Sequence, residues 1–171
     1  MISVYITSFN KSIFISEAIE SVLSQTLKPY ELIIIDDAST DNSREIIDGY
    51  KNRYPDIIKV LYNENNLGIS RTRNRALKIC SGDFVTFLDA DDYFYPQKLE
   101  FESNLLKNKN VDVVYSNFNY VNENNKILGR FSSDHDTPAQ GNIFQQTISK
   151  KYDVSSGNNY IYEMFYKACI N

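Results

Sequence analysis

Two carboxylates one residue apart, Asp89 and Asp91, follow the apolar run Phe84-Val85-Thr86-Phe87-Leu88, and Asp92 adds a third. A run of that kind reads as a strand buried on both faces, as in a parallel sheet. Unpaired carboxylates are too costly inside a protein, so a strand that ends in three of them must deliver them to an exposed edge. Acids crowded this closely repel one another unless a cation sits among them. Their hard oxygens suit Mg²⁺ or Mn²⁺, and Mg²⁺ usually takes one or two carboxylates plus substrate phosphates. The competing reading of the same residues is a polar loop that caps a helix ahead of Pro96.

Two further polar clusters follow apolar runs, Thr7-Ser8-Phe9-Asn10 and Asp36-Asp37-Ala38-Ser39. Phe9 offers an aromatic face on which a flat base could stack, with ordinary core packing as its alternative. Asp37, when ionised, only accepts hydrogen bonds. It therefore selects a ring N–H, which uracil and thymine carry at N3 and guanine at N1, and which cytosine lacks. The Asp36-Asp37 pair also suits a solvated turn before a capped helix, and one of the two acids is expected to serve there. Arg71, Arg73 and Arg75 lie at even offsets, which splay around a helix. One or two of them can point inward, and Arg73 is the expected one. Asp134, His135 and Asp136 read as a solvated loop.

The elements that must position these residues alternate strand and helix. Ile2 to Thr7 is a short β-rich run. Ser12 to Gln25 has helical spacing at Ile15, Ala18, Ile19, Val22 and Leu23, and Pro29 breaks it. Glu31 to Ile35 is a second buried strand, and Ser39 or Asp41 caps a helix through about Tyr50. Ile57 to Tyr62 is a third strand and Asn63 to Asn66 a polar turn. A helix over Ile69 to Ile79 opens near Gly68 or Ser70 and ends at Ser81-Gly82, and Asp83 to Leu88 is the fourth strand. Such alternation indicates βαβ units, a mostly parallel sheet and right-handed crossovers with helices on both faces.

After Pro96 the pattern loosens. A helix from Pro96 to about Asn108 leads to a strand over Val111 to Ser116. Phe118 to Val121 and Lys126 to Phe131 flank Asn122-Glu123-Asn124-Asn125 as a hairpin. Ser132 to Gly141 is a polar loop, Ile143 to Ile148 a short helix, and Tyr160 to Tyr166 another strand. The three polar clusters thus fall at carboxyl ends of strands, where open α/β sheets bind ligands.

Composition narrows the class. The 171 residues make one domain with an ample core, and a net charge of −4 gives no electrostatic case for nucleic acid. Cys80 and Cys169 suit reduced thiols in a cytoplasmic protein, and the single histidine excludes a multi-histidine zinc site. No apolar stretch approaches the roughly 20 residues that span a bilayer. A phospho-acceptor signalling domain would need acids after the first strand. A nucleotidyltransferase would carry a Gly-rich, basic loop there, and Thr7-Ser8-Phe9-Asn10 is neither.

The stretches Val4 to Lys11 and Ala18 to Thr26, then Ile35-Asp36-Asp37-Ala38-Ser39-Thr40-Asp41, resemble the opening of family 2 glycosyltransferases with the GT-A fold. Asn66-Leu67-Gly68 with Arg73-Asn74 resembles their helix motif, and Asp89-Ala90-Asp91-Asp92 their Asp-x-Asp signature. The match covers about the first hundred residues. It implies an α/β, Rossmann-like GT-A sandwich with a second small mixed sheet towards the C-terminus. It implies a nucleotide-sugar donor, usually UDP-linked, an inverting transfer to a hydroxyl, and Mn²⁺ or Mg²⁺ bridging the diphosphate to Asp91 and Asp89. The donor residues it implies are Thr7, Phe9, Asn10, Asp37, Asn66, Gly68, Arg73, Asp89 and Ala90. Thr7 stands where many relatives have proline, and Thr72 where many have alanine.

The catalytic base of the family lies in a later acidic motif, expected beyond Asn171; Glu163, inside an expected strand, fits it poorly. The chain reads as a single glycosyltransferase domain truncated at its C-terminus, with 1–110 binding the donor and 111–171 beginning the acceptor side. The resemblance implies a glycan or lipid-linked glycan acceptor in surface glycan synthesis. It also leaves open association with the inner face of the membrane through segments outside this chain. A non-catalytic nucleotide-sugar-binding module is the alternative.

Overall fold

A computed structural model describes residues 1–107, 111–116, 118–122, 124–130 and 164–167. Its elements in chain order are β1 (Ile2–Ser8), α1 (Ile15–Leu23), β2 (Glu31–Asp36), α2 (Ser43–Arg53), β3 (Ile58–Tyr62) and α3 (Ile69–Ile79). β4 (Phe84–Asp89), α4 (Lys98–Leu106), β5 (Val113–Tyr115), β6 (Asn119–Val121), β7 (Ile127–Arg130) and β8 (Met164–Lys167) follow. The expected alternation is present. The expected loop Ser132 to Gly141, the helix Ile143 to Ile148, and Asp134, His135, Asp136 and Glu163 lie outside the described residues.

Six strands form one sheet in the order β3-β2-β1-β4-β8-β5. β1 pairs in parallel with β2 on one side and with β4 on the other, and β2 pairs in parallel with β3. β8 joins β4 antiparallel, with Val85 opposite Tyr166. Strand order reverses between β1 and β4, so a switch point falls there. β6 and β7 form a separate antiparallel pair with an irregularity at Tyr120 and Val121, the expected hairpin. The chain divides into two compact units, Met1–Val114 with Glu163–Asn171, and Tyr115–Tyr162.

The strands form because their β-branched, apolar residues are buried on both faces. Side chains alternate between two cores. Val4, Ile6, Leu32, Ile34 and Leu88 pack with Ile15, Ile19, Val22, Ile47 and Leu99 from α1, α2 and α4. Tyr5, Ile33, Ile35, Val85 and Phe87 pack on the opposite face with Ala76 of α3 and Cys80.

The starts of α1, α2 and α4 differ from expectation, and that of α3 does not. α1 begins at Ile15 rather than Ser12, because the Ser12 amide donates to Asp41 Oδ2 at 2.9 Å and stays in the loop. α2 begins at Ser43, after both expected caps. Asp41 accepts the Ser43 amide at 3.0 Å, and Ser39 is committed to Asn10. α4 begins at Lys98, two residues after Pro96.

Candidate functional site

The carboxyl ends of β1, β2 and β4 are in register: Ser8 lies opposite Asp36, and Thr7 opposite Asp89. The pleat therefore sends Asp36, which ends β2, and Asp37, which follows it, to different places. Asp36, fully buried on the α2 side, accepts the Ser39 amide at 3.0 Å and Arg44 Nε at 2.7 Å. It is the turn-forming acid of the pair. Arg44 reaches on to the Asn63 carbonyl at 2.9 Å and covers the Tyr62 ring at 5.1 Å.

Asp37 faces the α3 side and gathers the loop after β3. It accepts Asn63 Nδ2 at 2.6 Å, the Leu67 amide at 2.9 Å and the Gly68 amide at 2.9 Å. Burial pushes its carboxyl up, but those donors together with Thr72 outweigh burial and hold it below the usual carboxylate value. Asp37 is thus an ionised acceptor at neutral pH. Its oxygens already have internal donors, so a ligand N–H would have to share them. Gly68 carries φ +80°, which lets its amide turn towards Asp37, and the same amide is received by Asn66 Oδ1 at 3.0 Å. Asn66 is exposed and shapes this turn.

α3 presents Thr72 and Ala76 to the sheet. Arg73 and Arg75 lie on either flank of that buried stripe, and both point inward, Arg73 as expected and Arg75 with it. Arg73 Nη2 donates to Asp89 at 2.8 and 3.1 Å, and its guanidinium lies over the Phe87 ring at 4.6 Å. Arg75 Nη1 donates to Asn63 Oδ1. Arg71 is exposed. Asn63, which the sequence placed only in a polar turn, is a buried hub for Asp37, Thr72 and Arg75. Its signal was position: it is the first residue after a strand on the edge where the acids gather.

The loop after β1 closes the ring. Phe9 is 44% exposed, an open aromatic face rather than a core residue. Asn10, at φ +54°, accepts the Thr40 amide at 2.8 Å and gives its own amide to Ser39 Oγ at 2.9 Å. Its side chain thereby joins the first two loops. The Lys11 amide donates to Ser43 Oγ at 3.0 Å, and Lys11 Nζ donates to Asp91 Oδ2 at 2.6 Å. Thr7 is buried, and its Oγ1 has no hydrogen-bond partner among the described residues. Ala90 is buried in the hydrophobic core, so its backbone is the part left to meet a ligand.

Hydrogen bonds and ion pairs thus run from the β1 loop to the β2 loop, on to the β3 loop, through α3 to Asp89, and back from Asp91 to Lys11. Phe9, Asp37 and Asp91 lie on one edge of the sheet. The β4 loop is pinned from behind by Gln25, a residue that the sequence marks only as a helix end. Fully buried Gln25 donates to the Tyr95 carbonyl at 2.8 Å and accepts the Leu99 amide at 3.0 Å. Its spacing from Ala18 and Val22 on the apolar face of α1 is the signal that it points inward.

Among the described residues no group of three or more His, Cys, Asp or Glu side chains could hold a metal ion. Asp91, with a side chain 43% exposed, fits an ion that completes its shell with phosphate and water oxygens. Asp89, also expected as a ligand, has both oxygens on Arg73 and is the less available donor.

The family model described as glycosyl transferase family 2 matches residues 3–165. UDP-Glc:alpha-D-GlcNAc-diphosphoundecaprenol beta-1,3-glucosyltransferase WfgD of Escherichia coli is 39% identical over 132 residues, 77% of this chain and 50% of that protein. The chain thus spans about half the length of this curated relative. The structure of S. aureus TarS 1-349 in complex with UDP-GlcNAc matches 66% of this chain and 32% of that one, with a TM-score of 0.59 and 32% identity. Mannosyltransferase PcManGT from Pyrobaculum calidifontis, solved with GDP-Man and Mn²⁺, covers 67% of this chain and 34% of its own. Its TM-score is 0.60 at 22% identity, a likeness of fold.

Proposed function

Because this chain belongs to glycosyl transferase family 2, we propose that it is the donor-binding part of an enzyme that moves a sugar from a UDP-sugar to an acceptor hydroxyl. The reading includes inversion at the anomeric carbon and a lipid-linked or polymeric surface glycan as acceptor. It places the enzyme in the cytoplasm, the donor's compartment. The WfgD and TarS likenesses support the donor class and the surface-glycan setting. The observation that carries it is the closed ring of contacts that gathers Asp37, Arg73, Asp89 and Asp91 at the carboxyl edge of the sheet, beside the exposed ring of Phe9.

Each residue then has work. Phe9 stacks the uracil ring, and Asp37, kept ionised, accepts its imide N–H alongside the amides it already holds. Thr7 Oγ1 lies beneath the base as an unused hydrogen-bonding group. Arg73, stacked on the Phe87 ring, fixes Asp89, so that Asp91 two residues on faces the diphosphate. Asp91 would hold a divalent cation there, which would supply positive charge to the leaving diphosphate.

The test is calorimetry of UDP on the full chain with Mn²⁺ and with excess chelator. Binding should need the ion, Asp91→Asn should abolish that dependence, and Asp37→Ala should weaken uridine binding without altering it. Equal affinity in chelator would count against the ion. Preference for uridine over cytidine that survives Asp37→Ala would count against the base contact.

A further inference from the structure

We propose that Lys11 is the resident counter-ion of Asp91 in the nucleotide-free protein, and that the donor's diphosphate draws it away so that a divalent cation can take its place. The inference rests on the reading of Asp91 as a cation ligand. Lys11 Nζ and Asp91 Oδ2 are 2.6 Å apart, with side chains 36% and 43% exposed. The root of the lysine is fixed, because the amides of Asn10, Lys11 and Ser12 donate in turn to Ser39, Ser43 and Asp41. Only the side-chain stem has to move. An ammonium on a flexible four-carbon stem is a point charge that can leave one anion for another without rebuilding its surroundings.

The neighbouring acid is built differently. Asp89 meets a planar guanidinium that is packed on an aromatic ring, with side chains 27% and 16% exposed. One acid of the pair is clamped and the other has an exchangeable partner. With the ammonium in place, a divalent cation meets a ligand whose charge is already neutralised. A diphosphate gives the ammonium a second anion and frees Asp91. Nucleotide and cation therefore strengthen one another's binding by the same factor, whichever arrives first.

Mn²⁺ alone, titrated into the full chain and followed by the electron paramagnetic resonance signal of the free ion, reads this directly. Lys11→Met should tighten nucleotide-free Mn²⁺ binding about two- to fivefold, the scale of a half-exposed ion pair. Lys11→Arg should keep the wild-type affinity. The same Lys11→Met change should shrink the factor by which UDP improves Mn²⁺ affinity. Unchanged Mn²⁺ binding in Lys11→Met, with binding lost in Asp91→Asn, overturns the counter-ion role and leaves the ligand assignment standing. Mn²⁺ affinity untouched by Asp91→Asn overturns both.

Discussion

Asp36 and Asp37 are chemically identical neighbours with opposite duties, and the pleat decides which is which. Asp36 meets Arg44 and the Ser39 amide on the α2 side, whereas Asp37 meets three donors of the β3 loop on the other. The sequence foretold that one acid would serve the turn, and only the cross-strand register could say that it is Asp36. The chain then bends through Ala38 at φ +64°, a conformation that costs an L-residue about 1–2 kcal/mol. Ala38→Gly removes that penalty against a larger loss of backbone freedom on folding. It should stabilise the protein by roughly 0.5–1 kcal/mol in urea unfolding. Cys80 is another residue whose surroundings fix its chemistry: burial, with Glu31 nearby, pushes its thiol up to about 12. In a Cys169→Ser background the native chain should resist alkylation by iodoacetamide at about pH 8, and it should react once unfolded.

At the level of elements, the edge is held by loops tied to one another more than by helix caps; none of α1 to α4 has a side-chain cap hydrogen bond at its N-cap residue. Asp41 is a main tie, accepting the Ser12 and Ser43 amides and the Ser43 hydroxyl. Burial raises its carboxyl, and Ser43 and Ser12 lower it by more, well below the usual carboxylate range. Asp37 is lowered in the same way. Folded values below unfolded ones mean that this stability is complete above the unfolded value, about pH 4, and is lost as pH falls through the folded values. Urea midpoints measured from about pH 6 to pH 3 should fall, and Asp41→Asn should flatten part of that slope. Gln25→Leu strips partners from the Tyr95 carbonyl and the Leu99 amide and should cost about 2–3 kcal/mol. The helix and strand pattern up to Ile79 was legible because apolar spacing sets it. The starts of α1 and α2 and the inward turn of Arg75 were not, because they depend on hydrogen bonds between segments apart in sequence. Thr72 and Ala76 take the sheet-facing stripe of α3, which leaves Arg73 and Arg75 on opposite flanks, one beside β4 and one beside β3.

Across the whole molecule, protection is expected to follow depth. β1 and β2 are central and buried on both faces, whereas the β6–β7 pair has two strands and exposes Tyr120, Ile127 and Leu128. Hydrogen exchange should be slowest in β1 and β2, and faster by orders of magnitude in β6 and β7. No helix among the described residues is long and apolar enough to cross a membrane. Gly82 shows how tightly the other edge is closed: a Cβ there would sit 2.7 Å from the Ser3 amide and 3.0 Å from the Met1 carbonyl. Gly82→Ala should therefore displace β1 and cost about 1–3 kcal/mol.

β1 has consecutive residues matched to both neighbours, Thr7 to the acid that ends β4 and Ser8 to the acid that ends β2. Losing a single amino acid from the middle of that strand would turn every later side chain over. Thr7 would exchange sides with Ser8, and the acids on left and right would lose their matching positions in one stroke. Variation in chain length should therefore be tolerated in the loops around this strand and refused within it, even where the replacement keeps every residue apolar.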